Sequence, residues 1–310
     1  MSGPTWSPAE MPDLHGKRAL VTGVTGGIGE HTALELARNG AQVILAARSE
    51  DKLRTVTDDL RRTVPQASVV PLLLDLADLG SVRRAAAEAS SCGPLDILVN
   101  NAGVMATPPR RTVDGFDLQM GTNHFGHFAL TGLLLPQLAA SGGARVVTVS
   151  SQMHRIARSL PPCDPRVDHG RYNKWRTYAR SKLANLLFMF ELGRRSAAAD
   201  VPITSVGAHP GYAATNLMTT GLRMHGRTAE GSIIDAATRV LAQPPGMGAL
   251  PSLMAATMPG LPSGAYLGPS GPGEVRGAPT VVGTSRAARD EVSAAALWEM
   301  SEQATGVVYP

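Results

Sequence analysis

Short apolar runs alternate with longer amphipathic segments through most of this chain, and this alternation limits its fold more than any other feature. The apolar runs, each suited to a strand buried on both faces, are residues 19–22, 42–46, 69–74, 97–99, 145–149 and 203–208. The segments between them that suit covering helices are residues 28–39, 49–63, 81–89, 116–140 and 178–199. This order predicts an α/β fold, a doubly wound parallel sheet with helices on both faces.

The length of the chain fits one such domain. It has 310 residues, 43% of them hydrophobic, so we expect a single Rossmann-type domain over residues 1–310. Residues 1–14 are expected to form an N-terminal extension, and residues 152–177 an insert. Residues 216–260 are rich in Gly, Pro and Met and are expected to form a lid over a substrate pocket, although ordinary helix packing is an alternative. A strand near 265–267 and a helix near 290–303 complete the prediction.

Composition argues against several other classes of protein. The net charge is +4, but 29 Lys and Arg are interleaved with 25 Asp and Glu, so we expect no nucleic-acid partner. No apolar stretch is long enough to cross a membrane, and residues 1–14 have no apolar core of signal-peptide length, so we expect neither a membrane span nor secretion by that route. The two cysteines, Cys92 and Cys163, have no metal-ligand spacing, and neither His154 nor His209 has a second ligand nearby. We therefore expect a cytoplasmic protein that acts on a small molecule and holds no metal.

A glycine-rich turn follows the first predicted strand and opens onto a helix: Thr22-Gly23-Val24-Thr25-Gly26-Gly27-Ile28-Gly29. Glycine lets a backbone approach a pyrophosphate closely, and the helix N-terminus offers N–H groups to it. Gly23, Gly27 and Gly29 fit a TGxxxGxG spacing, whereas Gly23, Gly26 and Gly29 fit the TGxxGxxG spacing of nucleotide-sugar epimerases. The spacing alone leaves both assignments open, together with a tight turn that binds no ligand.

The end of the second predicted strand points to NADP rather than NAD. A site selective for NAD places Asp or Glu there to bind the ribose 2′-hydroxyl, but this chain has Ala46-Ala47-Arg48. The Arg48 guanidinium can form a bidentate pair with a 2′-phosphate. An exposed arginine without a ligand is the alternative.

Tyr178 and Lys182 lie four residues apart in a predicted helix, so their side chains share one face. A nearby ammonium and an oxidised nicotinamide would favour the phenolate and lower the tyrosine pKa from about 10 toward about 7. Tyr178 could then act as acid in reduction and as base in oxidation. Ser150-Ser151 and the segment 100–103 follow two other predicted strands, so polar groups converge on one sheet edge.

The motifs TGVTGGIG, NNAG, Asn123, VSS, YARSK and HPGYAAT, in this order, resemble those of the short-chain dehydrogenase/reductase family over nearly the whole chain. NNAG together with the Asn-Ser-Tyr-Lys set favours the single-domain reductase branch over the epimerases. The long segment between Ser151 and Tyr178, SKLAN after the tyrosine, Trp6, Met11-Pro12-Asp13 and Leu297-Trp298-Glu299 resemble the retinol dehydrogenase-like subgroup, including its bacterial members.

The resemblance implies an NADP(H)-dependent oxidoreductase that moves a hydride between the nicotinamide and a carbonyl or alcohol carbon, with a tendency toward lipophilic or bulky substrates. Ser151 would polarise the carbonyl, Tyr178 would exchange the proton, Lys182 would hold the nicotinamide ribose, and Asn123 would anchor a proton-relay water. The implied cofactor-binding residues are Gly23, Thr25, Gly27, Ile28, Gly29, Arg48, Asp75, Leu76, Asn101, Ala102, Gly103, Tyr178, Lys182, Pro210, Gly211 and Thr215.

Two other functions stay open at this point. Tyr178 could protonate carbon during reduction of a conjugated C=C bond, which product analysis would reveal. The chain could also be a regulator that binds NADP without turnover, although the presence of all four catalytic residue types favours an enzyme. A homodimer or homotetramer is possible, because the apolar segment 183–190 could pack against a partner helix or form core.

The insert at 152–177 is locally basic and could guide an anionic substrate toward Tyr178, although a solvated loop is the favoured explanation. Its charged residues are Arg155, Arg158, Arg166, Arg171, Lys174 and Arg176, against Asp164 and Asp168.

Overall fold

A computed structural model describes residues 6–160, 172–212 and 243–309. Its sheet has eight strands in the order β3-β2-β1-β4-β5-β6-β7-β8, parallel throughout except for the antiparallel pair β7 and β8. The strands are β1 Arg18–Thr22, β2 Gln42–Ala47, β3 Val69–Leu73, β4 Ile97–Asn100, β5 Ala144–Val149, β6 Ile203–Ala208, β7 Tyr266–Pro269 and β8 Pro279–Val281. The predicted α/β fold is confirmed, and β8 is a strand that the sequence pattern did not reveal.

The strand order reverses between β1 and β4, which opens a crevice at the carboxyl ends of the central strands. Pro71 lies in β3, at one edge of the sheet, where a residue without an N–H does not interrupt a ladder on its outer side. β1, β4, β5 and β6 occupy the centre and are almost completely buried, as continuous apolar runs require.

Helices cover both faces of the sheet. They are α1 Gly27–Arg38, α2 Glu50–Thr63, α3 Leu79–Ser90, α4 Leu118–Met120, α5 Gly126–Leu133, α6 Leu135–Ala140, α7 Lys174–Ala198, α8 Pro245–Thr257 and α9 Glu291–Thr305. α1, α2 and α8 share the core on one face, whereas α3, α5 and α7 pack on the other, with α9 lying against α7.

The single helix predicted over 116–140 is interrupted. A π-helical turn over Gly121–Phe125 separates α4 from α5. A new helix, α6, begins after α5, and its first turn contains Pro136, which lacks an N–H. Gly121 and Gly126 lie in tight contacts: a Cβ on Gly126 would come within 2.5 Å of the Leu76 carbonyl oxygen. A π-helical turn contains one more residue than an α-helical turn, and here it occurs where Gly121 and Gly126 pack closely against neighbouring residues.

The segment predicted as a lid over 216–260 lies partly outside the described residues, which resume at 243. Its last part forms α8, whose Ala249 and Leu253 are fully buried against α1 and the sheet. The burial of α8 fits the helix-packing alternative, while residues 216–242 of the predicted lid lie outside the described residues and the lid stays a prediction. In the same way, Leu183, Leu186 and Leu187 of the apolar segment 183–190 are buried within the chain.

Within the described ranges, no helix is both long enough and apolar enough to span a bilayer.

Candidate active site

The glycine-rich turn leads from β1 into α1 with Gly23, Gly26 and Gly27 all at positive φ, a conformation that favours glycine. Gly26 is the N-cap of α1 and has no side chain to bond the first-turn N–H groups. These N–H groups and the helix dipole form an anion-binding end. Gly29 is also required, because a Cβ there would lie 2.4 Å from the Gly23 carbonyl oxygen.

The turn after β4 fastens the glycine-rich turn in place. The Asn101 side-chain amide donates to the Thr22 carbonyl oxygen at 2.7 Å, and the backbone N–H groups of Asn101 and Ala102 each donate to Thr22 Oγ1 at 2.9 Å. A Cβ on Gly23 would approach the Ala102 Cα to 2.8 Å. The amide nitrogen of Asn101 is therefore engaged with the protein backbone rather than free for a ribose.

Three further residues predicted to contact the adenosine end follow β2 and β3. Arg48 comes directly after β2 and is exposed. Asp75 follows β3, and its Oδ1 accepts the Ala77 N–H at 2.9 Å, while Leu76 is buried beneath Gly126. All three lie at the carboxyl edge of the sheet, beside the glycine-rich turn.

Tyr178 and Lys182 are buried on one face of α7, next to the end of β5. Lys182 Nζ donates to the Val149 carbonyl oxygen at 3.1 Å and lies 5.8 Å from the centre of the Tyr178 ring. The Ser151 side chain lies next to Tyr178 and acts to lower the pKa of the tyrosine. The neighbouring Ser150 instead donates to the Lys182 carbonyl oxygen at 2.8 Å and so anchors α7. The two serines therefore differ in their contacts, and Ser151 is the one that contacts the tyrosine.

The pKa of Tyr178 is raised by the protein itself, whereas the lowering expected from the sequence includes the effect of an oxidised nicotinamide. Burial raises the pKa of its hydroxyl to about 12, and the Ser151 side chain only partly opposes this. Burial also lowers the pKa of Lys182 to about 8. The surroundings therefore favour the neutral form of both groups.

Asn123 lies in the π-helical turn, and its side chain is fully engaged. Oδ1 accepts the Val104 N–H at 2.8 Å, while Nδ2 donates to the Val104 carbonyl oxygen at 3.0 Å and to Ser181 Oγ at 2.9 Å. Gly103 adjoins it, since a Cβ there would lie 3.1 Å from Asn123 Oδ1 and 3.6 Å from Lys182 Nζ. Any water that Asn123 anchors would therefore have to use its backbone carbonyl.

The backbone carbonyl of Asn123 has a partner that the sequence reading did not single out. His127 Nδ1 lies 3.1 Å from that carbonyl oxygen, and His127 Nε2 lies 2.9 Å from Thr22 Oγ1. Burial lowers the pKa of His127 to about 4, so its ring is neutral and links the π-helical turn to the glycine-rich turn. The four-residue spacing of Asn123 and His127 in a predicted helix was a signal that could have revealed this contact.

Pro210 and Gly211, predicted to lie on the nicotinamide side, follow β6, and Thr215 lies outside the described residues. Gly211 has φ +65°, and its N–H donates to His209 Nδ1 at 3.2 Å. His209 Nε2 in turn lies 2.9 Å from a carboxylate oxygen of Glu274. Neither residue had been assigned a role at this site from the sequence.

In the described part of the basic insert, several basic residues already have protein partners or belong to a helix. Arg155 donates to Glu274 and to the Gly283 carbonyl oxygen, and Lys174 and Arg176 belong to α7. Residues 161–171, which include Arg166, Arg171, Asp164 and Asp168, lie outside the described ranges. A cavity of about 510 Å³, lined in part by Arg158, Arg176 and Trp175, lies between α7 and the segment after Ser151.

Both nitrogens of His154 are engaged, with the Ser151 carbonyl oxygen at 2.7 Å and the Ser285 N–H at 3.2 Å. In the part of the chain that the structure describes, no group of three or more His, Cys, Asp or Glu side chains could hold a metal ion.

Comparison with known proteins places this geometry in context. Residues 17–161 match the family described as short chain dehydrogenase. Human retinol dehydrogenase 13 is 38% identical over 301 residues, covering 96% of this chain and 87% of that protein. The crystal structure of an uncharacterised protein from Mycobacterium paratuberculosis has a TM-score of 0.80 at 42% identity, covering 99% of this chain and all of that one.

A structure from Beutenbergia cavernae, described as an NAD(P)-dependent gluconate 5-dehydrogenase with bound NADP, is also similar. It has a TM-score of 0.59 at 26% identity and covers 79% of this chain and 91% of that one.

Proposed function

The chain belongs to the short-chain dehydrogenase/reductase family, with retinol dehydrogenase-like relatives, and on this premise we propose that it is an NADP(H)-dependent oxidoreductase of carbonyls and secondary alcohols. The observation that carries the proposal is the meeting of Ser151, Tyr178 and Lys182 beside the glycine-rich turn. Ser151 follows β5, Tyr178 and Lys182 lie in α7, and Asn123 and Gly103 close the same site.

Residues at the carboxyl edge fit a dinucleotide. The glycine-rich turn and the uncapped N-terminus of α1 suit the pyrophosphate, and Arg48 suits a 2′-phosphate. Lys182 would hold the nicotinamide ribose, and the turn at Pro210 and Gly211 would adjoin the nicotinamide. When bound, NADP(H) supplies or accepts the hydride.

In reduction, Ser151 donates a hydrogen bond to the substrate oxygen and stabilises the negative charge that develops there. Tyr178, protonated at neutral pH because its pKa is high, gives its proton to the same oxygen. The resulting phenolate is stabilised by the Lys182 ammonium. In oxidation the proton moves in the opposite direction.

The test is consumption of NADPH and NADH across ketones, aldehydes, quinones and enones, with product analysis to separate carbonyl from C=C reduction. Tyr178→Phe should abolish NADPH-dependent turnover. Tyr309→Phe is the matched control, because Tyr309 is also buried and its hydroxyl donates to the Phe128 backbone at 2.7 Å, in the C-terminal packing against α5. Full turnover by Tyr178→Phe would refute the mechanism.

The cofactor preference is tested with Arg48→Asp. Without its guanidinium, and with a carboxylate facing the 2′-phosphate, the enzyme should lose its preference for NADPH over NADH. Arg54→Ala, which removes an exposed arginine of α2, is the control. An unchanged ratio of NADPH to NADH activity in Arg48→Asp would contradict the assignment.

We further propose a lipophilic or bulky carbonyl substrate. The support is a relative named for retinol and the subgroup motifs around Tyr178. Comparing kcat/KM for short and long alkyl aldehydes tests this, and equal values for both would contradict it.

A further inference from the structure

One carboxylate fastens together two turns of the site. Glu274 belongs to a short 3-10 helix, Pro272–Glu274, in the connection between β7 and β8. Its Oε2 accepts hydrogen bonds from His209 Nε2 at 2.9 Å and from Gln152 Nε2, and its Oε1 accepts from Arg155 Nη2 at 3.2 Å. Gln152 directly follows Ser151, and His209 directly precedes Pro210.

The hydrogen bonds fix the proton position on His209. The Gly211 N–H donates to Nδ1, so Nδ1 carries no proton and Nε2 must carry the one that is donated to Glu274. The ring is neutral, and it transmits the position of the Glu274 carboxylate to the backbone of Gly211.

Two glycines, Gly268 and Gly211, allow close contacts around His209 and the segment at Glu274. A Cβ on Gly268 would lie 2.0 Å from His209 Nε2, and a Cβ on Gly211 would lie 2.4 Å from the Val275 carbonyl oxygen. The Tyr212 N–H donates to that same Val275 oxygen at 2.8 Å. The turn after β6 is thus held by the segment at Glu274 through both a side chain and a backbone contact.

On the other side, Gln152 is held at both ends. Its Nε2 donates to Glu274, and its Oε1 accepts from Arg155 Nε at 2.7 Å. Gln152 and Arg155 belong to the 3-10 helix Gln152–Ile156, whose N-cap is Ser151. Glu274, together with Gln152 and Arg155, therefore fixes the helical turn that begins at Ser151.

We propose that Glu274 is a positioning residue, which holds the Ser151 turn and the Pro210–Gly211 turn at a fixed spacing through Gln152 and His209. This inference rests on the proposed function, because the spacing matters where a carbonyl bound at Ser151 must meet a nicotinamide beside Gly211. Glu274 acts only through the side chains that it binds, so it is not a catalytic residue.

Two variants test the proposal. Glu274→Ala removes all three acceptor contacts and should lower kcat by about tenfold or more, since small misplacements of reacting groups are costly. Glu274→Gln keeps the shape and one acceptor oxygen, so its loss should be smaller. The affinity for NADPH, measured by fluorescence, should change less than the rate, because the glycine-rich turn and Arg48 are untouched. Glu299→Gln, on the exposed side of α9, is the control.

Hydrogen exchange gives a readout that does not depend on turnover. In Glu274→Ala, the amides of 150–157 and of 207–212 should both exchange faster than in the wild type, whereas those of β1 and α1 should not. Unchanged exchange in either turn, or faster exchange with full kcat, would overturn the proposal. A general loss of stability would instead speed exchange across the sheet as well, and that result would also overturn it.

A double-mutant cycle separates positioning from two independent losses. Gln152→Leu and Glu274→Ala remove the same link to the Ser151 turn, so their effects on kcat should not multiply. Fully multiplicative effects would count against a shared role. If the wild type turns over no carbonyl, the proposed function fails, while the exchange comparison still decides whether Glu274 holds both turns.

Discussion

Replacing Lys182 by methionine should stabilise the protein while abolishing its activity. Burial lowers the pKa of Lys182 from its ordinary 10.5 to about 8. At about 1.36 kcal/mol for each pH unit, keeping this lysine charged in the folded protein costs about 3 kcal/mol of unfolding free energy at pH 7. Methionine fills a similar volume without charge. The substitution removes the hydrogen bond from Lys182 to the Val149 carbonyl oxygen. That oxygen keeps a donor, because Asn185 Nδ2 also donates to it at 3.0 Å.

The pH dependence identifies the cause. Because the folded-state pKa is depressed, wild-type stability should rise as pH increases from 8 to 10.5, where the unfolded chain holds the additional proton. The advantage of Lys182→Met should therefore be largest below pH 8 and disappear above about 10.5. Urea unfolding of the cofactor-free protein at several pH values measures it. Lys52→Met, at an exposed position of α2, should change stability by less than about 0.5 kcal/mol. A Lys182→Met variant no more stable than wild type at pH 7 would refute the reasoning.

Two further substitutions test the contacts between elements. Gly29→Ala places a Cβ 2.4 Å from the Gly23 carbonyl oxygen and should weaken NADPH binding by about tenfold or more, whereas Gly143→Ala, where a Cβ meets nothing within 4 Å, should not. Equal NADPH dissociation constants for the two variants would contradict this. His127→Phe removes the partner of the Asn123 carbonyl oxygen and should lower the unfolding free energy by about 1–3 kcal/mol, measured with urea. No loss would mean that the carbonyl oxygen has another donor.

Several elements could be predicted because their signals are local. Buried parallel strands need continuous apolar runs, so β1, β4, β5 and β6 were visible, and the groups that follow them had to share an edge. α8 was predicted only as an alternative to a lid, for the opposite reason. Its sequence contains Gly246, Gly248 and Pro251, which oppose a helix on propensity, and burial against α1 outweighs them.

The contacts of Glu274 could not be predicted from the sequence. It lies 122 residues after Gln152 and 65 after His209, in a stretch rich in Gly and Pro without any period. Only the pairing of β7 with β6 and β8 brings it to the site. The π-helical turn could not be predicted from the sequence. One additional residue in a helical turn leaves the pattern of apolar and small residues close to that of an uninterrupted α-helix.

The two shifted pKa values predict how the rates in the two directions depend on pH. Burial lowers the pKa of Lys182 to about 8 and raises that of Tyr178 to about 12, so the first proton lost near pH 8 comes from Lys182. Losing it leaves a neutral tyrosine beside a neutral amine, and transfer of the tyrosine proton to Lys182 then gives phenolate beside ammonium, which is the base that alcohol oxidation needs. Reduction needs the protonated pair.

The kcat/KM for carbonyl reduction should therefore fall above about pH 8, while that for alcohol oxidation should rise through the same pH. Measuring both profiles on one enzyme, with the solution equilibrium of the reaction taken into account, tests this. In Lys182→Arg the guanidinium stays charged, so the shared midpoint near pH 8 should be lost. Midpoints separated by more than about one pH unit would mean that different groups govern the two directions, and that Tyr178 and Lys182 do not act as one acid–base pair.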